Sequence, residues 1–230
     1  MKYTLTDRLM WHFMQGTCYK VLRTEYPEWD FHQFRKAAKE RFRDILTSTP
    51  SIGSYRENSL KKNLVGGMVW FAIYETAKER YGIQMSLPLY EKMCRASISM
   101  PMMLRMARMA KPFTRKFQES MMKRSERENR IDSPYNWQAH YQLGKVDEEF
   151  TLSYTRCGLC ELARKRGHLD ILLAMCKTDY ITFKAMGAIL HRNKTLASGD
   201  ECCHYYMTKP GSEAEQRWQD EHPDGTFISK

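Results

Sequence analysis

Five residue types with recognisable chemistry crowd into about one fifth of this 230-residue chain. Five of its seven cysteines, Cys157, Cys160, Cys176, Cys202 and Cys203, fall between residues 157 and 203. Asp179, His191, Arg192, Thr195, Asp200 and His204 are interleaved with them. Cys157-Gly-Leu-Cys160 is a CxxC at the start of an expected helix. There, two thiols can share one metal, or the helix N-terminus can lower the pKa of one thiolate. A zinc site built on Cys157 and Cys160 needs two further ligands, and Cys176 with Cys203 are the candidates. The same cysteines read equally as reactive thiols or as small packing residues. Arg192 fits a carboxylate clamp, because a guanidinium grips both oxygens of a carboxylate at once.

The elements that must position these residues follow from periodicity. Glu149–Thr155 alternates polar and apolar residues, as a half-buried strand does. Leu159–Arg166 and Leu169–Met186 read as helices separated at Gly167. Residues 187–195 and 201–207 read as two strands joined by the turn Leu196-Ala-Ser-Gly-Asp200. On such strands His191, Asn193 and Thr195 share one face, Cys203 shares a face with Tyr205, and the turn brings Thr195, Asp200 and Cys203 together. A solvated edge hairpin is the plain alternative for this pair.

Upstream the pattern is helical. Leu5, Leu9, Phe13 and Val21 mark one amphipathic helix, and Phe31, Phe34, Ala38, Phe42 and Ile45 a second, with Asp30 as its N-cap. Thr47–Gly53 is a loop by composition, and Leu60–Tyr81 a largely buried helix ended by Gly82. The expected fold class is α+β: a helical N-terminal half packed on a small antiparallel sheet, with helices in the C-terminal half. The expected regions are a helical one over 1–132, an α+β one over 133–208, and a loose polar tail over 209–230.

Residues 93–130 form a Met-rich basic segment inside the first region. Between Arg95 and Arg130 ten Lys/Arg stand against three Glu, within a chain of net charge +10. Met102, Met106, Met109, Phe113 and Phe117 recur at helical spacing, which predicts a packed face beneath a solvated basic one. A Met-lined ligand wall and an interfacial membrane helix are the alternatives. The charge implies an anionic partner. A nucleic-acid partner is not expected, since the aromatics share the apolar stripe and no nucleic-acid motif accompanies them.

Ordinary proportions, 42% hydrophobic and 28% charged, exclude wholesale disorder. The longest uncharged stretch, Asn63–Tyr74, is far short of the ~20 apolar residues of a membrane span. The N-terminus reads as an amphipathic helix rather than a secretory signal, so the expected location is cytoplasmic and the expected thiols are reduced.

Three stretches together resemble the L-2-amino-thiazoline-4-carboxylic acid hydrolase family. The first is Thr49-Pro50-Ser51-Ile52-Gly53 with Asn58, Asn63 and the helix containing Tyr74. The second is Tyr154-Thr155-Arg156-Cys157, then Cys160 and Cys176-Lys-Thr-Asp179-Tyr180. The third runs from Arg192 through Thr195, Gly199 and Asp200 to Cys203. The resemblance implies hydrolytic opening of a cyclic amidine that carries a carboxylate and a sulfur. It carries over Cys157, Cys176, Asp179, Arg192, Thr195, Gly199, Asp200 and Cys203. Opening an amidine needs a nucleophile, a base, an acid and a carboxylate clamp. The candidates are Cys157 or Cys203, Asp179 or Asp200, His191 or His204, and Arg192. Arg192, Thr195, Asn63 and Tyr74 are expected to bind substrate. No cofactor is expected unless the four thiols hold zinc. The expected partner is a small-molecule carboxylate, with homo-oligomerisation left open. The order threonine, Gly-Asp, cysteine, aromatic strand is also similar to vinyl-reductase-type ligand-binding domains, which implies a non-catalytic small-molecule module instead.

Overall fold

A computed structural model describes residues 1–222. The chain divides into two compact units, Met1–Met100 and the residues from Pro101 onward.

The first unit is built from four helices, α1 (Leu5–Glu25), α2 (Phe31–Ser48), α3 (Lys61–Tyr81) and α4 (Leu87–Ile98). Asp30 caps α2 as the sequence predicts, its Oδ1 accepting from the His32 and Gln33 amides at 3.0 and 3.1 Å. Gly82 ends α3 in the left-handed conformation at φ 65°, which favours glycine over any residue with a Cβ. The predicted stripe of α2 is buried in full: Phe31, Phe34, Ala38, Phe42 and Ile45. The buried middle of α3, Leu64 to Ala77, supplies the rest of this core. Each large apolar side chain withdrawn in this way contributes about 1.5–3 kcal/mol.

The predicted face of α1 is wrong. Leu5 and Leu9 are exposed, and the buried stripe is Trp11, Met14, Cys18 and Leu22. Both stripes satisfy helical spacing, so periodicity could not choose between them. Ring packing could: Trp11 stacks on Phe42 at 5.2 Å and Tyr19 meets Phe34 edge-on at 5.8 Å.

The second unit holds α5 (Pro101–Arg108), α6 (Arg115–Glu128), β1 (Gln138–Leu143), β2 (Glu149–Arg156), α7 (Gly158–Arg166), α8 (Leu172–Cys176), α9 (Thr178–Ala185), β3 (Ile189–Lys194), β4 (Cys203–Thr208) and α10 (Glu213–Glu221). The class is α+β. The four strands form one antiparallel sheet in the order β1-β2-β4-β3. One face of the sheet is apolar, with Ala139, Tyr141, Phe150, Leu152, Leu190, Cys203, Tyr205 and Met207 forming a core. Phe113, Met121 and Met122 pack against that core, as do Tyr180 and Phe183 of α9. Residues 101–132 of the expected helical region therefore fall in the sheet's unit, because α6 lies on β1.

Four further expectations need correction. Strand β1 was not foreseen, although Ala139 and Tyr141 point inward and His140 and Gln142 outward, as a half-buried strand requires. The single helix expected over Leu169–Met186 is a short 3-10 turn followed by α8 and α9. The Cys176 carbonyl at the break accepts from Arg192 Nη2 at 2.7 Å. Met102, Met106 and Met109 are exposed rather than packed, because the helix stops before Pro112 and its phase is not carried into α6. The tail carries α10, N-capped by Ser212, whose Trp218 packs on the outer face of the sheet. The remainder of that expected loose tail, residues 223–230, lies outside the described residues.

Candidate active site around Arg192

Alternation along β3 and β4 sets which side chains can meet. Arg192, Cys203 and Tyr205 project to the helix-covered face, where α9 presents Asp179 and Tyr180. Arg192 is fully buried. Its Nη1 donates to Asp179 Oδ2 and to the Tyr205 hydroxyl, both at 2.8 Å. The Tyr205 hydroxyl in turn donates to the same Asp179 oxygen at 2.8 Å. The guanidinium also lies over the rings of Tyr205 and Tyr180, at 4.8 and 5.1 Å from their centroids. The carboxylate, arginine and phenol thus form a closed triangle with aromatic walls.

Two groups of the network, one donor and one acceptor, remain of chemical interest. Arg192 Nε is buried and has no hydrogen-bond partner among the described residues, a costly condition that a bound acceptor would relieve. The Asp179 side chain is 36% exposed, and its Oδ1 is engaged by none of the described residues. The network therefore offers one unsatisfied N–H donor and one reachable carboxylate oxygen.

The turn after β3 supplies the thiol. The Leu196 amide donates to Cys203 Sγ at 3.3 Å, and Thr195 Oγ1 lies 3.4 Å from the same sulfur. Asp200 Oδ2 accepts from the Thr195 amide at 2.7 Å. Thr195, Asp200 and Cys203 therefore come together as the spacing predicts. Asp200 Oδ2 thereby also staples the turn. Burial raises the Cys203 pKa, against the opposing pull of Thr195 and Leu196.

Cys157 is the N-cap residue of α7. Gly158 beside it is obligatory, since a Cβ there would overlap the Tyr135 carbonyl. The expected low-pKa thiolate is not found. The hydrogen bond to Cys160, and then burial, push the Cys157 thiol well above its ordinary value. Burial pushes Cys176 up as well. Among the described residues, no three His, Cys, Asp or Glu side chains are gathered to hold a metal ion, so the zinc quartet of Cys157, Cys160, Cys176 and Cys203 is not formed.

His191 does not join the site. It is the neighbour of Arg192 on β3 and so faces the opposite side of the sheet. Its Nε2 lies 2.8 Å from Thr208 Oγ1 and its ring 4.7 Å from that of Trp218. His204, on the outward register of β4 with Tyr206, is on that side too. Asn63 and Tyr74 belong to the first unit. Asn63 is exposed at the start of α3, and Tyr74 is buried with its ring edge-on to Tyr90 at 5.5 Å.

Sequence reasoning missed Tyr205 as a functional residue. Its place beside Cys203 was legible from alternation, but nothing in the sequence signals a hydroxyl bonded to both Arg192 and Asp179. The same applies to the aromatic wall from Tyr180.

No helix among the described residues is long and apolar enough to cross a membrane. No curated protein matches the chain. The family model described as L-2-amino-thiazoline-4-carboxylic acid hydrolase matches residues 62–206, a span that contains the whole Arg192 network. With the match covering more than half of its length, this chain belongs to the L-2-amino-thiazoline-4-carboxylic acid hydrolase family.

Proposed function

We propose that the protein is a hydrolase that opens a small cyclic C–N compound bearing a carboxylate, of the 2-amino-thiazoline-4-carboxylate type. The observation that carries this reading is Arg192, whose Nη1 fixes Asp179 while its buried Nε has no partner among the described residues. An anionic substrate group docked on Nε would satisfy that donor. It would also bring the adjoining ring near the reachable Asp179 oxygen.

Asp179 is then the base. Its carboxylate takes a proton from water as the water oxygen bonds to the ring carbon between the heteroatoms. The carbon–sulfur bond breaks, the departing sulfur receives the proton that Asp179 holds, and water's second proton passes from the new hydroxyl to the ring nitrogen as the carbonyl forms. One water is consumed, and the product carries a free thiol and a new carbonyl. Arg192 and Tyr205 act by holding Asp179 in one orientation, and their two hydrogen bonds on Oδ2 leave Oδ1 for the water. A thiolate route through Cys203 is disfavoured by the burial that keeps this thiol protonated. The acid role considered for His191 passes to Asp179, because His191 faces away.

The test is a panel of carboxylated thiazolines, hydantoins and lactams, with a phosphine reductant, following released thiol and ring absorbance. Turnover of a carboxylated thiazoline that is lost in Asp179→Asn supports the reading. Failure to turn over any member overturns it. A second reading is a small-molecule-binding module without chemistry, in which the buried Arg192 Nε holds an anionic ligand that leaves unchanged. Native mass spectrometry that recovers a co-purifying compound unchanged would select it.

A further inference from the structure

The Met-rich segment is not absorbed by the reaction, and the structure turns it outward. In α5 and the residue after it, Met102, Met106 and Met109 are 51%, 62% and 76% exposed. At 3.6 residues per turn they form one narrow stripe, with the exposed Arg105 beside it and the exposed Arg108 farther round the helix. Leu104 and Ala107, on the opposite side, are only partly exposed, and α5 packs on α9. No acidic residue occurs between Glu91 and Glu119. Of the basic residues from Arg105 to Lys116, Arg115 alone pairs with a described carboxylate, that of Asp147 at 3.0 Å. The outward face of α5 is therefore apolar and cationic together.

We propose that this face docks the protein peripherally on an anionic lipid surface. The methionines, unbranched and flexible, would enter the boundary between headgroups and acyl chains, while Arg105 and Arg108 stay at the level of the lipid phosphates. Lys111 adds charge at the same edge. Charge complementarity selects this occupant. A second copy of the chain would set Arg105 and Arg108 against their own equivalents across a two-fold interface. A folded protein partner needs roughly 800 Å² on each side, more than the face of one eight-residue helix supplies. The net charge of +10 would draw the whole molecule toward such a surface. This inference is independent of the hydrolase reading.

Co-sedimentation of the full chain with vesicles tests it, comparing pure phosphatidylcholine with phosphatidylcholine containing about one-third phosphatidylserine. Binding is expected only to the anionic vesicles and should weaken as salt rises. Arg105→Glu with Arg108→Glu should weaken partition at least ~10-fold, given about fivefold per basic residue near the surface. Met106→Ser with Met109→Ser should also weaken partition, with no change in charge. Lys36→Glu with Lys39→Glu, exposed on α2 and equal in charge change, should leave binding nearly intact. Absence of vesicle binding overturns the proposal, and so does binding that the α5 variants do not weaken. A concentration-dependent dimer or a nucleic-acid complex that requires Met106 would also overturn it.

Discussion

His191 and Arg192 are consecutive on β3 and face opposite sides of the sheet, one toward Trp218 of α10 and the other toward Asp179 of α9. One strand thereby separates a titratable cluster packed under α10 from the Arg192–Asp179 ion pair beneath α9. The residues on the two sides should respond differently to substitution and to pH.

Asp179 and Asp200 are the first pair to separate. Asp179→Asn should lower turnover by ~100- to 10,000-fold, the range for loss of a positioned acid–base group, and should also lower the melting temperature, because the buried Arg192 loses its counter-charge. Asp200→Ala should spare turnover. It loses the acceptor for the Thr195 amide and should cost about 1 kcal/mol of stability while retaining most turnover. Paired kinetics and thermal melts check both.

Arg192→Met should be strongly destabilising, since it strips the Cys176 carbonyl, Asp179 and Tyr205 of a shared donor. Breaking a buried pair costs about 3–5 kcal/mol, and the partial exposure of Asp179 places this case near the lower end. Arg192→Lys keeps the charge without the planar fork, so it should fold yet lose substrate affinity. A large rise in KM with a modest fall in melting temperature is the expected pattern.

His191 makes stability depend on pH. Burial, and then His222, lower its pKa from 6.5 to about 4 in the folded state. The unfolded chain thus binds the proton more readily between these values. The contribution is complete above pH ~6.5 and is lost as pH falls toward ~4. The charged and titratable groups on this face include Tyr206 and His204 of β4, Glu149 of β2, and Arg217 with His222 of α10. His191→Gln should flatten the fall in melting temperature between pH 7 and pH 5 by a few degrees, on the scale of ~2–4 °C per kcal/mol for a chain of this size.

The cysteines should be slow to alkylate. At neutral pH iodoacetamide should modify Cys157, Cys176 and Cys203 more slowly than an unstructured thiol, with rates that climb as pH rises. Rapid labelling of Cys157 at neutral pH, blocked by a carboxylate analogue, would restore it as the nucleophile. Cys157→Ser is expected to keep turnover.

Gly158→Ala should destabilise the second unit by about 1–3 kcal/mol, because the new methyl overlaps the Tyr135 carbonyl and backbone must move. A calorimetric scan reads this directly.

The sequence alone determined what local chemistry controls. Asp30 capping α2, Gly82 ending α3 and the polar-apolar alternation of β2 are short-range effects, and each was legible from a few neighbouring residues. The Thr195–Asp200–Cys203 turn was legible for the same reason, since its hydrogen bonds span at most eight residues. Tertiary structure decided whatever depends on a choice between two locally acceptable faces. Leu5 and Leu9 satisfy helical spacing as well as Trp11 and Met14 do, and only packing against Phe42 and Phe34 resolves which stripe is buried. The methionines of α5 likewise fit an inward face until the break before Pro112 resets the phase. At the site, alternation alone put Arg192 opposite to His191. The meeting of Arg192 with Asp179, 13 residues away, and of both with Tyr205 depends on how α9 lies on the sheet. No local periodicity encodes that placement, because it is set by the burial of Tyr180 and Phe183 against the core.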